Sequence, residues 1–102
     1  MITAVFNKTG DRLTGFAVSG HAGQGEAGND VCCAAVSSAA MLVCNALTDF
    51  LESGAQAECG ENVLKLDLRS GSGEAYRLLE AFYAHLEFIR EEYPRGIKII
   101  TK

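Results

Sequence analysis

No cluster of lysine and arginine appears anywhere in this sequence, and thirteen acidic residues outnumber nine basic ones for a net charge of −4. Direct binding of nucleic acid through its phosphates is therefore not expected, whereas a basic protein partner would meet no electrostatic penalty. No uninterrupted apolar run reaches the roughly 18 residues of a membrane span. The most apolar stretch, Val31 to Leu47, is broken by Ser37, Ser38 and Asn45. The opening segment, Met1 to Gly10, joins no basic region to a long apolar one and does not read as a secretory signal. A cytoplasmic location with no membrane attachment is the expectation, and there the cysteines at 32, 33, 44 and 59 stay reduced. There is no C-x₂-C pair, and adjacent Cys32 and Cys33 diverge by about 100° on a helix, so neither a metal site nor a metal cofactor is expected. Internal repeats and low-complexity tracts are missing as well. The chain of 102 residues reads as one domain over 1–102, long enough to bury roughly two-thirds of its unfolded surface.

What is present divides into short β-rich and longer helical stretches. Ile2 to Asn7 and Leu13 to Ser19 predict two strands joined across Lys8-Thr9-Gly10-Asp11, with Gly15 marking a bulge. Asn29 or Asp30 is placed to cap a helix that runs to about Leu51 and stops near Ser53-Gly54. That helix is apolar nearly all round, so it should be buried on more than one side, against the sheet and against a second helix or another subunit. Ala55 to Glu58 and Val63 to Arg69 predict a second hairpin, the latter strand alternating Leu64, Leu66 and Leu68 with a polar face. Glu74 to Tyr93 follows as an amphipathic helix with Leu78, Leu79, Phe82, Leu86, Ile89 and Tyr93 on its inner side; Pro94 ends it. Gly96 to Thr101 supplies a last strand. The order ββαββαβ implies an α+β fold, a mostly antiparallel sheet with two helices packed on it.

The chemistry gathers in Gly20 to Ser37, GHAGQGEAGNDVCCAAVS. Gly23-Gln24-Gly25-Glu26-Ala27-Gly28 matches the glycine pattern of dinucleotide-binding loops. The first glycine comes too late after the strand, Asp49 lies inside the helix, and Glu26 would oppose phosphate, so the match reads as coincidental. A thiol–imidazole pair is the sharper reading. With Asp30 as N-cap, Cys33 falls in the first helical turn, where uncompensated amides and the positive end of the helix dipole favour an anion. His21 ends the preceding strand, and the glycine-rich excursion returns the chain to the helix start. The same amides are placed to donate to an oxyanion. On placement alone, however, packing outweighs catalysis, because free cysteine is among the most buried residue types. Cys44 and Cys59 have no partner pattern and read as packing, and His85 in the middle of the second helix reads as surface or satisfied core.

Gly20-His21-Ala22, Gly28, Asp30 and Cys33-Ala34-Ala35-Val36-Ser37 together resemble the signature of Prp, the ribosomal-processing cysteine protease family. The likeness extends over essentially the whole chain. It implies that Cys33 is the nucleophile and His21 its general base and later general acid, with Gly23, Gly25 and Gly28 in a loop that admits an extended peptide. It further implies a homodimer that needs no cofactor. Its substrate would be the precursor of the large-subunit ribosomal protein numbered twenty-seven, from which the family removes a short hydrophobic N-terminal extension after an aromatic residue. One position departs from the pattern: an aliphatic residue usually precedes the nucleophile, and here it is Cys32. Two readings stand for Asp30, a helix cap (preferred) and an orienting partner for His21. Ser37 either hydrogen-bonds near the thiolate or bonds back to the carbonyl of Cys33. The competing function is a non-catalytic module that binds a ribosomal protein or takes part in ribosome assembly.

Overall fold

The computed structural model describes residues 1–20, 29–51 and 53–102, with 29 and 30 described by backbone alone. The elements follow the order ββαββαβ: β1 (Ile2–Thr9), β2 (Arg12–Ser19), α1 (Asn29–Asn45), β3 (Ala55–Gly60), β4 (Val63–Leu68), α2 (Gly73–Glu92) and β5 (Ile97–Thr101). The sheet order is β3-β4-β2-β1-β5. Three of its pairings are antiparallel, and β5 joins β1 in parallel. The mixed, mostly antiparallel sheet with two helices agrees with the sequence reading.

Both hairpin turns are tighter than the composition suggested. The first pairs Thr9 with Arg12, so only Gly10 and Asp11 lie between the strands. The second pairs Gly60 with Val63, which moves Cys59 out of the expected turn and into β3. Asn62 turns this second corner with a left-handed φ of 63°, a conformation asparagine tolerates better than most residues.

The bulge falls beside Gly15, not on it. Asn7 pairs with Gly15 and Lys8 with Leu13, leaving Thr14 as the extra residue. It has a purpose in packing. Leu13 and Phe16 are three residues apart, a spacing that puts them on opposite faces of a regular strand. With Thr14 unpaired, both are buried on the helix-covered face.

That face carries Ile2, Ala4, Phe6, Phe16, Leu66, Leu68 and Ile97, all buried. The opposite face presents half-buried Val5 and Ala17 and exposed Lys65 and Asp67. From α2, Ala75, Leu79, Phe82, Leu86 and Ile89 complete the core at helical spacing. The Phe82 ring sits 4.7 Å from Phe16 and 5.6 Å from Phe6, which fixes α2 over the first hairpin. Arg12 adds a guanidinium 4.2 Å above the ring of Tyr76.

α1 continues through a π-helical turn, Ala46–Phe50, whose closing bond runs from the Leu51 amide to the Ala46 carbonyl at 2.9 Å. The Ser53 hydroxyl donates to the Leu47 carbonyl at 2.7 Å, supplying an acceptor group at the helix end with a partner. Val31–Phe50 has the length and mean hydropathy, 1.8, of a membrane-crossing helix, despite its serines and asparagine. In this fold its inner stripe, Cys32, Val36, Ala40, Val43 and Leu47, is core. Val31, Met41, Leu42 and Phe50 are exposed.

Phe82→Ala should remove the centre of the aromatic cluster and cost about 3–5 kcal/mol, as large-to-small core substitutions of this kind do. Urea unfolding followed by far-ultraviolet circular dichroism measures it; a loss below about 1 kcal/mol would show that α2 is held elsewhere.

Candidate active site

α1 starts at Asn29, so Asp30 is its second helical residue rather than its N-cap. This corrects the sequence reading and moves Cys33 to the fifth helical position, at the start of the second turn. The amide of Cys33 thereby falls inside the i→i−4 ladder, and the uncompensated amides of the helix start precede Cys32. The thiol does not lose the helix end by this. Helical side chains lean toward the N-terminus and cover the preceding turn, where those amides and the dipole's positive end lie.

The cysteine doublet resolves through packing. Cys32 is fully buried, and a Cβ placed on Gly96 would come within 2.9 Å of its Sγ. The missing side chain at Gly96 leaves room for the Cys32 sulfur at the start of β5. Burial pushes the Cys32 thiol up from its ordinary value, and the adjacent charge of Cys33 raises it further. Cys33 is half-buried and faces a cavity of about 260 Å³ between α1 and the ends of the strands.

That cavity brings Cys33 and Ser37 together on one wall, one helical turn apart, with Val36, Ala40 and Met41 continuing along α1. The facing wall comes from the end of β2 at Ser19 and Gly20, and from the β3–β4 hairpin at Cys59, Asn62 and Val63. Gly20 carries a φ of 87°, and a Cβ on it would lie 2.6 Å from the Met1 carbonyl oxygen. A side chain there would both strain the backbone and strike the Met1 carbonyl just ahead of β1. Gly20 immediately precedes His21, which lies outside the described residues together with Gly23, Gly25 and Gly28. The Asp30 side chain lies outside them too.

The sequence reading missed Met41, Asn62, Val63 and Cys59 as parts of the site. Cys59 had been read as packing; it is exposed and lines the cavity. The glycine after it reads as turn chemistry, which hid its place in β3. Cys44 is packing, as read. Its thiol is pushed up to about 11, first by burial and then by the charge of nearby Cys59. His85 is exposed on α2.

A family model described as cysteine protease Prp matches residues 1–98. The chain belongs to the cysteine protease Prp family. Among solved structures, an essential ribosomal processing protease Prp from S. aureus in complex with a covalently linked product peptide superposes with a TM-score of 0.87 at 24% identity, with 100% of both chains covered. The S. aureus protein in complex with a substrate peptide gives a TM-score of 0.84 at 23% identity, again over 100% of each chain. A Streptococcus mutans protein matches at 0.77 and 32% identity, covering 100% of this chain and 96% of its own. No curated protein matches this chain. The S. aureus likenesses establish that the Prp fold is shared; membership of the Prp family makes the protein a cysteine protease.

The Cys44 thiol gives a pH signature. Its folded value of about 11 exceeds the ordinary 9.0 expected of the unfolded chain. Its stabilising contribution is therefore complete below pH 9 and is lost as pH climbs toward 11, because the unfolded chain gives up the proton first. Urea midpoints between pH 8 and 11 should fall less steeply for Cys44→Ala than for the parent. Parallel curves would exclude this linkage.

Proposed function

We propose that this protein is a processing endopeptidase in which Cys33 is the nucleophile and His21 the general base and acid. The observation that carries the reading is the division within the cysteine doublet: one thiol packs as core, and the next opens into a cavity beside a helix start whose described lining holds no charged residue. His21 takes the thiol proton, and the thiolate adds to the scissile carbonyl carbon. The tetrahedral intermediate collapses to a thioester as the C–N bond breaks and His21 gives its proton to the leaving amine. Water, deprotonated by the same imidazole, then adds to the thioester carbonyl; the C–S bond breaks to release the carboxylic acid, and His21 returns the proton to the Cys33 sulfur. Ser37, on the wall beside the thiol, is a supporting residue. Asp30 retains two roles, orienting His21 or adding an acidic group to the first helical turn.

The substrate we assign is the precursor of the large-subunit ribosomal protein numbered twenty-seven, shortened after an aromatic residue in the cytoplasm. Family membership supports a peptide substrate of this kind, as do the product and substrate peptides held by the S. aureus protein. The net charge of −4 favours approach of a basic ribosomal protein. Residues 1–102 form the single protease domain in this reading. It works as a homodimer, with Val31 and Leu42 of α1, both more than half exposed, covered by a second copy.

Cleavage of a peptide spanning the aromatic cut site should drop by a factor of about a thousand or more in Cys33→Ala and in His21→Ala. Peptide-by-peptide iodoacetamide labelling should modify Cys33 ahead of the buried Cys32 and Cys44. Wild-type turnover by either variant, or stable binding without product, would sink the mechanism. For the dimer, light scattering coupled to size exclusion should give twice the 10.9 kDa chain mass, and Leu42→Asp should halve it. A wild-type monomer at micromolar concentration refutes that arrangement.

A further inference from the structure

Cys44 and Cys59 take no part in the proposed reaction, yet the fold brings them to neighbouring places. In β3, Ala55, Ala57 and Cys59 pair with Leu68, Leu66 and Leu64 of β4. Leu66 and Leu68 are buried under the helices, so Cys59 points to the same helix-covered side. There it shares a cavity wall with Ala40 and Met41 of α1. Cys44 follows Ala40 by one turn on the buried stripe of the helix. Beyond Cys44, the π-helical turn Ala46–Phe50 packs on β3 as well. Cys44 is thus bracketed by two stretches of the helix that both meet β3. Measured along the axis from Met41, Cys44 is about 4.5 Å away in one direction and Cys33 about 12 Å away in the other. The Cys44 thiol also responds to the charge of Cys59, in keeping with this placement.

We infer that Cys44 and Cys59 are a thiol–disulfide pair, a redox-sensitive clasp that ties edge strand β3 to α1 when a low-molecular-weight disulfide such as oxidised glutathione is in excess. The thiolate of exposed Cys59 attacks the small disulfide, forming a mixed disulfide and expelling one small thiolate. The Cys44 thiolate then attacks the Cys59 sulfur, expelling the second small thiolate and closing the Cys44–Cys59 bond. Two protein thiols are oxidised, their protons pass to the two thiolates released, and one small disulfide is reduced to two thiols. Burial keeps Cys44 from the first step, because a dissolved disulfide does not reach it. A mixed disulfide on Cys59, carried to it by the fold, does. β3 is hydrogen-bonded to β4 on one side only, so only that pairing has to follow when its Cys59 end moves toward α1. Under a reducing poise the two thiols stay apart and Cys44 serves as core. Neither Cys33 nor His21 enters these steps, so the inference stands apart from the protease reading.

The test treats the full chain with excess oxidised glutathione, alkylates the remaining thiols in denaturant and digests with chymotrypsin. Cleavage after Leu42 separates Cys44 from Cys32 and Cys33, so each possible link has its own mass. The expected product is a dithiothreitol-sensitive bond between the peptide holding Cys44 and the peptide holding Cys59. Because the bond closes a loop in the unfolded chain, the oxidised protein should unfold at a urea midpoint about 1–2 M higher than the reduced one. In Cys59→Ser, a change at an exposed position, the same treatment should leave Cys44 reduced and the midpoint where it was. The clasp is overturned by a glutathione adduct on Cys59 that Cys44 never displaces, by a bond from Cys59 to Cys33, or by no bond at all. A Cys44–Cys59 bond that leaves the midpoint unchanged or lowers it overturns it too, since the two thiols would then have been joined only by distorting the fold.

Discussion

The contact between Cys32 and the glycine at 96 sets the rotation of α1, and the site depends on that rotation. Neighbouring helical residues point about 100° apart. Once the Cys32 sulfur is seated against the start of β5, Cys33 has no choice of face: it is turned to the gap between the helix and the strand ends. Burial raises the cost of ionising Cys32, so its chemistry is suppressed by the same packing that orients its neighbour.

α1 is therefore asked to serve three surfaces with one short sequence. Cys32, Val36, Val43 and Leu47 face the core; Cys33, Ser37 and Met41 face the cavity; Val31 and Leu42 face outward. This explains a composition that would otherwise suit a membrane. Small residues such as Ala40 let the helix approach the sheet, and the few polar ones, Ser37 among them, sit where the site or solvent can satisfy them. The hairpins supply the rest of the site from their ends. Gly20 follows the end of β2, and Asn62 turns β3 into β4, so the facing wall joins backbone at these ends to the aliphatic side chains of Val18, Val63 and Leu64.

Periodicity carried the fold in the sequence. The 3.6-residue stripe of α2 and the alternation of Leu64, Leu66 and Leu68 made their elements legible, because one face of each is buried and the other wet. Cys33 and Ser37 were legible through the family pattern. What could not be read depends on contacts between distant residues. The spacing of Leu13 and Phe16 hides a bulge at Thr14 that only the register with β1 reveals. Cys59 looked like part of a turn because the hairpin's length is set by pairing of Gly60 with Val63. Met41 looked like any other apolar residue of an apolar helix; its place on the cavity wall follows from how the helix is rotated.

Two thiols face the cavity, Cys33 and Cys59, and the fold treats them differently. Cys33 leans over the opening turn of a helix, whose amides point along the axis toward its N-terminus. Cys59 stands at the end of an edge strand, whose amides lie along the strand and do not converge on one point. The dipoles of a sheet alternate and largely cancel, whereas those of a helix add. Secondary structure alone thus gives the two thiols different electrostatic surroundings. Exchanging the two elements, rather than the two residues, is what it would take to exchange those surroundings.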